Sequence, residues 1–205
     1  MAIIEVVFPQ LKNEPESVKA ALEQLPAGVK AFKEGGALRL AQGFLSSENG
    51  KDVTSDSRET LLLEWPTESS FHEFINSPAF ANFKAAVKPY STGPPQLSLF
   101  ETNAGTHLFG THTIGLLLVS PKDESNVPAI LEKIESGVEK AGDSGVVFGS
   151  SLNLPQKKIA IFRVFGSKED LQDPKNVASM QAIRKDLGEL ADITQFVTDV
   201  KSVPM

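Results

Sequence analysis

Cysteine is absent from the 205 residues, which excludes disulfides, thiolate metal centres and a cysteine nucleophile together. Basic residues are outnumbered, 20 Lys and Arg against 26 Asp and Glu, for a formal net charge of −6 and a pI near 5.2. No Lys/Arg cluster breaks that balance. A phosphate backbone or an anionic membrane needs a cationic face, so neither nucleic acid nor membrane is expected as a partner. Long apolar runs are also lacking, since no segment approaches the roughly 18 residues of a membrane span. The start, MAIIEVVFPQ, has no basic region and too short an apolar run for a signal peptide. The expected compartment is therefore cytoplasmic. Nucleophile-elbow, P-loop, dinucleotide-fingerprint and HExxH patterns are missing as well.

What is present is about 40% hydrophobic, enough for one substantial core or two small ones. The most legible stretch runs from Glu59 to Tyr90. Thr60-Leu61-Leu62-Leu63-Glu64-Trp65 reads as a strand, stopped by Pro66, which has no N–H to continue a ladder. Thr67 or Ser69 can cap a following helix whose apolar face is Phe71, Phe74 and Ile75. Ser77 and Pro78 then start a second short helix carrying Phe80, Phe83 and Val87 inward.

Around this unit, Ile3 to Phe8 is an apolar strand containing Glu5 and ended by Pro9. Asn13 and Glu16 form a capping box for a helix with Val18, Ala21, Leu22 and Leu25 on one face, interrupted at Pro26-Ala27-Gly28. Ala37 to Leu45 is a second strand, and the polar run Ser46 to Ser57 behind it is expected to be a mobile loop. Pro95 to Glu101 completes a βαββαβ order. The same order then recurs. Strands over Thr113 to Ser120, Val146 to Leu152, Ile159 to Phe165 and Ile193 to Val200 alternate with two helices. One helix has Val127, Ile130, Leu131, Ile134 and Val138 as its face, and the other is capped by Asp173 with Pro174 at its first position. This places one βαββαβ repeat in residues 1–104 and a second in 111–205, an architectural repeat with little residue identity between halves. Each half leaves one apolar sheet face uncovered, so the expected fold is α+β, two ferredoxin-like repeats whose sheets cover each other in an intramolecular, pseudo-dimeric barrel.

The pattern formed by Trp65, Ser70, Phe71, Phe74, Ile75, Ser77 and Phe80, a strand ending in Trp followed by S-F-x-x-aromatic-hydrophobic-x-S-x-x-F, resembles the antibiotic-biosynthesis-monooxygenase type of dimeric α/β-barrel protein. In that resemblance the partner subunit's role would pass to the second half of this chain, and a further homodimer stays possible. The family's haem-degrading branch has a tryptophan where this chain has Phe74 and an iron-binding histidine where it has Lys84. A lysine ammonium has no free lone pair, so the resemblance does not extend to haem, and no cofactor is expected. It implies instead a cofactor-independent enzyme of monooxygenase, cyclase or isomerase type. Its partner would be a small hydrophobic molecule, aromatic or polyketide-like, in a cleft between sheet and helices. The alternative is a non-catalytic small-molecule-binding or stress-related barrel.

Residue chemistry suggests who would act in such a cleft. His72, Glu64 and Tyr90 are the acid–base candidates, and Arg39 and Arg163 could stabilise an enolate. Trp65 and Tyr90 could stack on or hydrogen-bond an aromatic ligand, and Trp65, Arg39, Phe74 and Arg163 make up the expected binding set. The charges inside apolar strands, Glu5, Arg39, Glu64 and Arg163, must either pair or face a wet cavity; the sequence leaves both open. His107 and His112 lie in a G-T-H repeat that could present two imidazoles, but no third ligand accompanies them, and no metal is expected.

Overall fold

The computed structural model describes residues 1–105, 108–141 and 145–205; His107 falls outside them. The first half runs β1 (Ala2–Phe8), α1 (Pro15–Glu23), α2 (Leu25–Glu34), β2 (Arg39–Glu48), β3 (Lys51–Asp52), β4 (Glu59–Trp65), α3 (Glu68–Ile75), α4 (Pro78–Val87) and β5 (Gln96–Thr102). The second runs β6 (His112–Pro121), α5 (Val127–Ala141), β7 (Val146–Ser151), β8 (Ile159–Phe165), α6 (Lys168–Gln172), α7 (Pro174–Leu187) and β9 (Ala191–Val203). Setting aside the short β3, both are βαββαβ.

Every neighbouring strand pair is antiparallel. The order β2-β4-β1-β5-β7-β8-β6-β9 returns from β9 to β2, closing an eight-stranded barrel. Its two seams join the halves: Phe100, Glu101 and Thr102 pair with Ser151, Ser150 and Gly149, and β2 pairs along its length with β9. The expected covering of one sheet by the other is thus achieved by closure, which removes the free edges as well. Ile4, Val6, Leu45, Leu62 and Phe100 from the first half meet Ile114, Leu116, Val147, Phe162 and Phe196 inside the barrel. Alternate residues of the same strands face outward to the helices. In the first half these are Val7, Leu40, Leu61, Leu63, Trp65 and Leu99, packed under Phe32, Phe71 and Phe74.

Local signals explain the element starts. Thr67 Oγ1 accepts the Ser70 N–H at 3.1 Å, and Ser77 Oγ accepts that of Phe80 at 3.1 Å. Asp173 caps α7 through the Lys175 N–H. Three expectations need correction. Asn13 and Glu16 form no capping box, because α1 is preceded by Glu14 and has no side-chain cap. The interruption expected at Pro26-Ala27-Gly28 falls instead at Gln24, between α1 and α2, and Pro26 lies in the first turn of α2, where its missing N–H costs nothing. The polar run 46–57 is folded rather than loose. Asn49 and Gly50 both take positive φ, 50° and 81°, the left-handed pair that a tight hairpin turn needs. Val53 beyond them is buried in the barrel core. No helix among the described residues is long and apolar enough to cross a membrane.

Candidate functional site

Between the first-half sheet and its helices lies a cavity of about 480 Å³, within the range of small-molecule sites. Its floor is the helix-facing side of the sheet, with Glu5 and Val7 from β1, Glu59 and Leu61 from β4, and Leu97 from β5. The roof is aromatic. Phe32 stands 5.5 Å from both Phe74 and Phe83 between ring centres, and Phe74 stands 5.1 Å from Phe80. Gly28 lets α2 come close to α4, because a Cβ there would meet the Phe83 ring at 2.7 Å. One end is closed where Leu11 bridges Ser91 and the Thr92 N–H donates to the Gln10 carbonyl at 2.7 Å. Lys84 and Lys88 stand at the exposed rim.

Two carboxyls interrupt this apolar wall. Glu5 is 4% exposed, and the indole Nε1–H of Trp65 donates to its Oε2 at 2.8 Å. Burial pushes its pKa up to about 7, the indole hydrogen bond opposing the rise. Glu59 is also raised by burial, and the Gln42 side-chain amide that donates to it at 2.5 Å opposes the shift. The Glu5 Cα pairs with Leu63, four residues along β4 from Glu59, so the two backbones are about 13 Å apart at the strand rise of about 3.3 Å per residue. They are separate groups rather than a carboxylate dyad.

The side chains singled out in the sequence fall in different places. Phe74 lines the cavity. Trp65 is buried beneath it, 5.1 Å from Phe74 and 6.0 Å from Phe71 between ring centres, and reaches the site through its hydrogen bond to Glu5. Glu64 faces the barrel side and forms an ion pair with Arg39, its Cα partner on the adjacent strand. His72 is exposed on α3, 3.4 Å from Glu68 one turn earlier. Tyr90 is half-buried in the turn after α4, its carbonyl accepting the Lys12 N–H; its side chain is not part of the wall. Arg163 belongs to the other half, donating to Asn176 Oδ1 at 2.9 Å and lying 5.3 Å from the Phe165 ring centre. His112 is half-buried at the start of β6. Among the described residues no cluster of three His, Cys, Asp or Glu groups could hold a metal.

Glu5 was visible as a charge within an apolar strand, but its face was not. Glu59 gave no signal of its own, standing at the boundary between a polar run and a strand.

The halves are not equivalent. Ile3 and Glu5 pair with Trp65 and Leu63, as Thr113 and Gly115 pair with Phe165 and Arg163. Glu5 therefore corresponds to Gly115, and Glu59 to Ile159. A Cβ at Gly115 would lie 3.3 Å from the Phe165 ring and 3.4 Å from Met180 Cε. The matching space in the second half is about 140 Å³. Among the described residues, only the first half combines such volume with buried carboxyls.

The sequence matches no protein-family model and no curated protein. Solved structures do match along nearly the whole chain. An anthrone oxidase-like protein superposes with a TM-score of 0.64 at 14% identity, over 100% of this chain and 94% of that one. A candidate monooxygenase from Fusobacterium nucleatum gives 0.62 at 13%, over 98% and 93%. A chlorite dismutase variant from Candidatus Nitrospira defluvii gives 0.57 at 13%, over 98% and 92%. At these identities the likeness is one of fold: the chain has the dimeric α/β-barrel architecture that its sequence resembles, with both halves in one polypeptide.

Proposed function

We propose that this chain is a cofactor-independent enzyme that draws a hydrophobic aromatic or polyketide-like molecule into the first-half cavity and begins its chemistry by proton transfer to Glu5. The observation that carries the reading is a buried carboxyl with a pKa of about 7 in the floor of an otherwise apolar cavity. Such a group is a stronger base than an exposed glutamate, and near neutrality it is divided between its two forms, as general acid–base work requires. Trp65 is a positioning residue: its N–H holds one carboxylate oxygen and leaves the other to take a proton.

Removal of a proton from an acidic C–H or a phenol gives an enolate or phenolate. That anion can close a ring, shift a double bond or react with dioxygen. In the oxygenation of a ring methylene, one oxygen atom becomes the carbonyl and the other leaves as water with both methylene hydrogens. The substrate itself supplies the electrons, so no reductant is needed. The monooxygenase and anthrone oxidase-like descriptions of the structural neighbours favour this fate over the other two.

Anthrone is a suitable probe. With wild-type protein we expect one dioxygen consumed per anthraquinone formed, at a rate above the protein-free reaction. In Glu5→Gln the enzymatic rate should fall by at least about 100-fold, the usual scale of a lost general base. A probe that binds but reacts no faster than in buffer would favour the non-catalytic binding barrel.

A further inference from the structure

We infer that the ligand of the first-half cavity is an amphiphile, with an apolar body inside and an anionic group, a carboxylate or sulfonate, held at the rim by Lys84 and Lys88. The inference rests on the cavity being the working site, as proposed above, and names the class of molecule it takes.

The charge pattern around the cavity is polarised. From Phe74 to Phe100 the sequence contains two charged residues, Lys84 and Lys88, and no acid, within a chain that is acidic overall. The two lysines are four residues apart, one helical turn, so their side chains leave the same face. Like charges at that spacing repel, and no acid stands within a helical turn of either lysine to offset them. Both line the cavity and both are exposed, the posture of a lysine whose stem covers apolar surface while its ammonium stays in water. The Lys84 ammonium lies 5.7 Å from the Phe80 ring centre, against the aromatic roof.

The floor has the opposite character, with buried Glu5 and Glu59 as its polar groups. An anion placed deep would face these carboxyls and lose its hydration. Placed at the rim, it would relieve the repulsion between two ammonium groups and keep contact with water. One orientation therefore satisfies both ends, with the acid outward and the apolar, reactive portion toward Glu5.

Two probes that share a skeleton and differ in charge test this. 1-Anilinonaphthalene-8-sulfonate is anionic, and N-phenyl-1-naphthylamine is its neutral counterpart. Trp65 is the single tryptophan and packs against Phe74 of the cavity wall, so probe emission sensitised by Trp65 reports probe bound to this chain, and mutual displacement of the two probes shows that they share the site flanked by Lys84 and Lys88. We expect both probes to be sensitised, with the anionic one binding at least fivefold more tightly. Lys84→Gln/Lys88→Gln, two changes at exposed positions, should weaken the anionic probe roughly fivefold to tenfold, as two rim ion pairs would, and leave the neutral probe within twofold. Equal affinities, or an anionic affinity unchanged in the double variant, would overturn the anion inference while sensitised binding of the neutral probe leaves the cavity standing. No sensitised emission from either probe would overturn the cavity reading and the inference with it.

Discussion

The indole N–H of Trp65 meets the carboxyl of Glu5 at 2.8 Å, joining the last residue of β4 to the middle of β1 at the cavity floor. Both partners are buried, so the bond is shielded from competing water and the carboxyl's proton affinity depends on it. In Trp65→Phe the carboxyl loses the contact that favours its charged form, and its pKa should rise above about 7. The variant should also lose roughly 1–3 kcal/mol of stability from the unsatisfied acceptor. A carboxyl-carbon NMR titration of Glu5 in both proteins measures the shift; an unchanged midpoint would contradict it.

Glu5 also imposes a pH dependence on folding. Its pKa in the folded chain, about 7, lies above the ordinary value of 4.5, so between these values the folded state holds more protons than the unfolded one. Stability should be highest below the lower value, fall as pH rises through about 7, and then level, a change of roughly 3 kcal/mol from a shift of this size. Glu5→Gln removes this dependence. Thermal unfolding should find the variant more stable than wild type at pH 8.5, with the advantage gone at pH 4.5.

Glu64 and His72 should separate structure from function. Glu64→Gln breaks the pairing with half-exposed Arg39, and should cost roughly 1–2 kcal/mol with little change in probe affinity at the cavity. His72→Gln alters an exposed pair with Glu68, and should change stability by less than about 0.5 kcal/mol. Chemical denaturation together with probe binding checks both. Loss of cavity binding in a fully folded Glu64→Gln protein would restore Glu64 to the site.

The seams between β2 and β9 and between β5 and β7 make the halves interdependent. Residues 1–104 expressed alone should expose Ile4, Val6, Leu62 and Phe100, which the second half otherwise covers. Size-exclusion chromatography should recover that piece as a self-associated species. A stable, soluble monomer would contradict the single-barrel description.

Much of the fold was legible because its signals are local. Trp65-Pro66, the Thr67 cap and the Ser77-Pro78 start each act within one turn, and all appear where the sequence places them. The polar run 46–57 misled because composition outweighed the Asn49-Gly50 turn and the single buried Val53. The site was less legible for a different reason. Strand β1 is apolar on both faces, Ile4 and Val6 toward the barrel and Val7 toward the helices, so alternation could not say which way Glu5 points. The partnership of Arg39 with Glu64 depends on β2 lying beside β4, a sheet order that neither strand encodes by itself.

In the proposed function Glu5 takes a proton from a ligand held in the first-half cavity, whatever follows. Deuterium wash-in tests it most directly: anthrone is incubated with protein in heavy water without oxygen, and exchange at its ring methylene is followed by NMR. Exchange should be faster than in buffer with wild-type protein, rise with pD through the Glu5 titration near 7, and fall to the buffer rate in Glu5→Gln. Equal exchange in wild type and Glu5→Gln would contradict it.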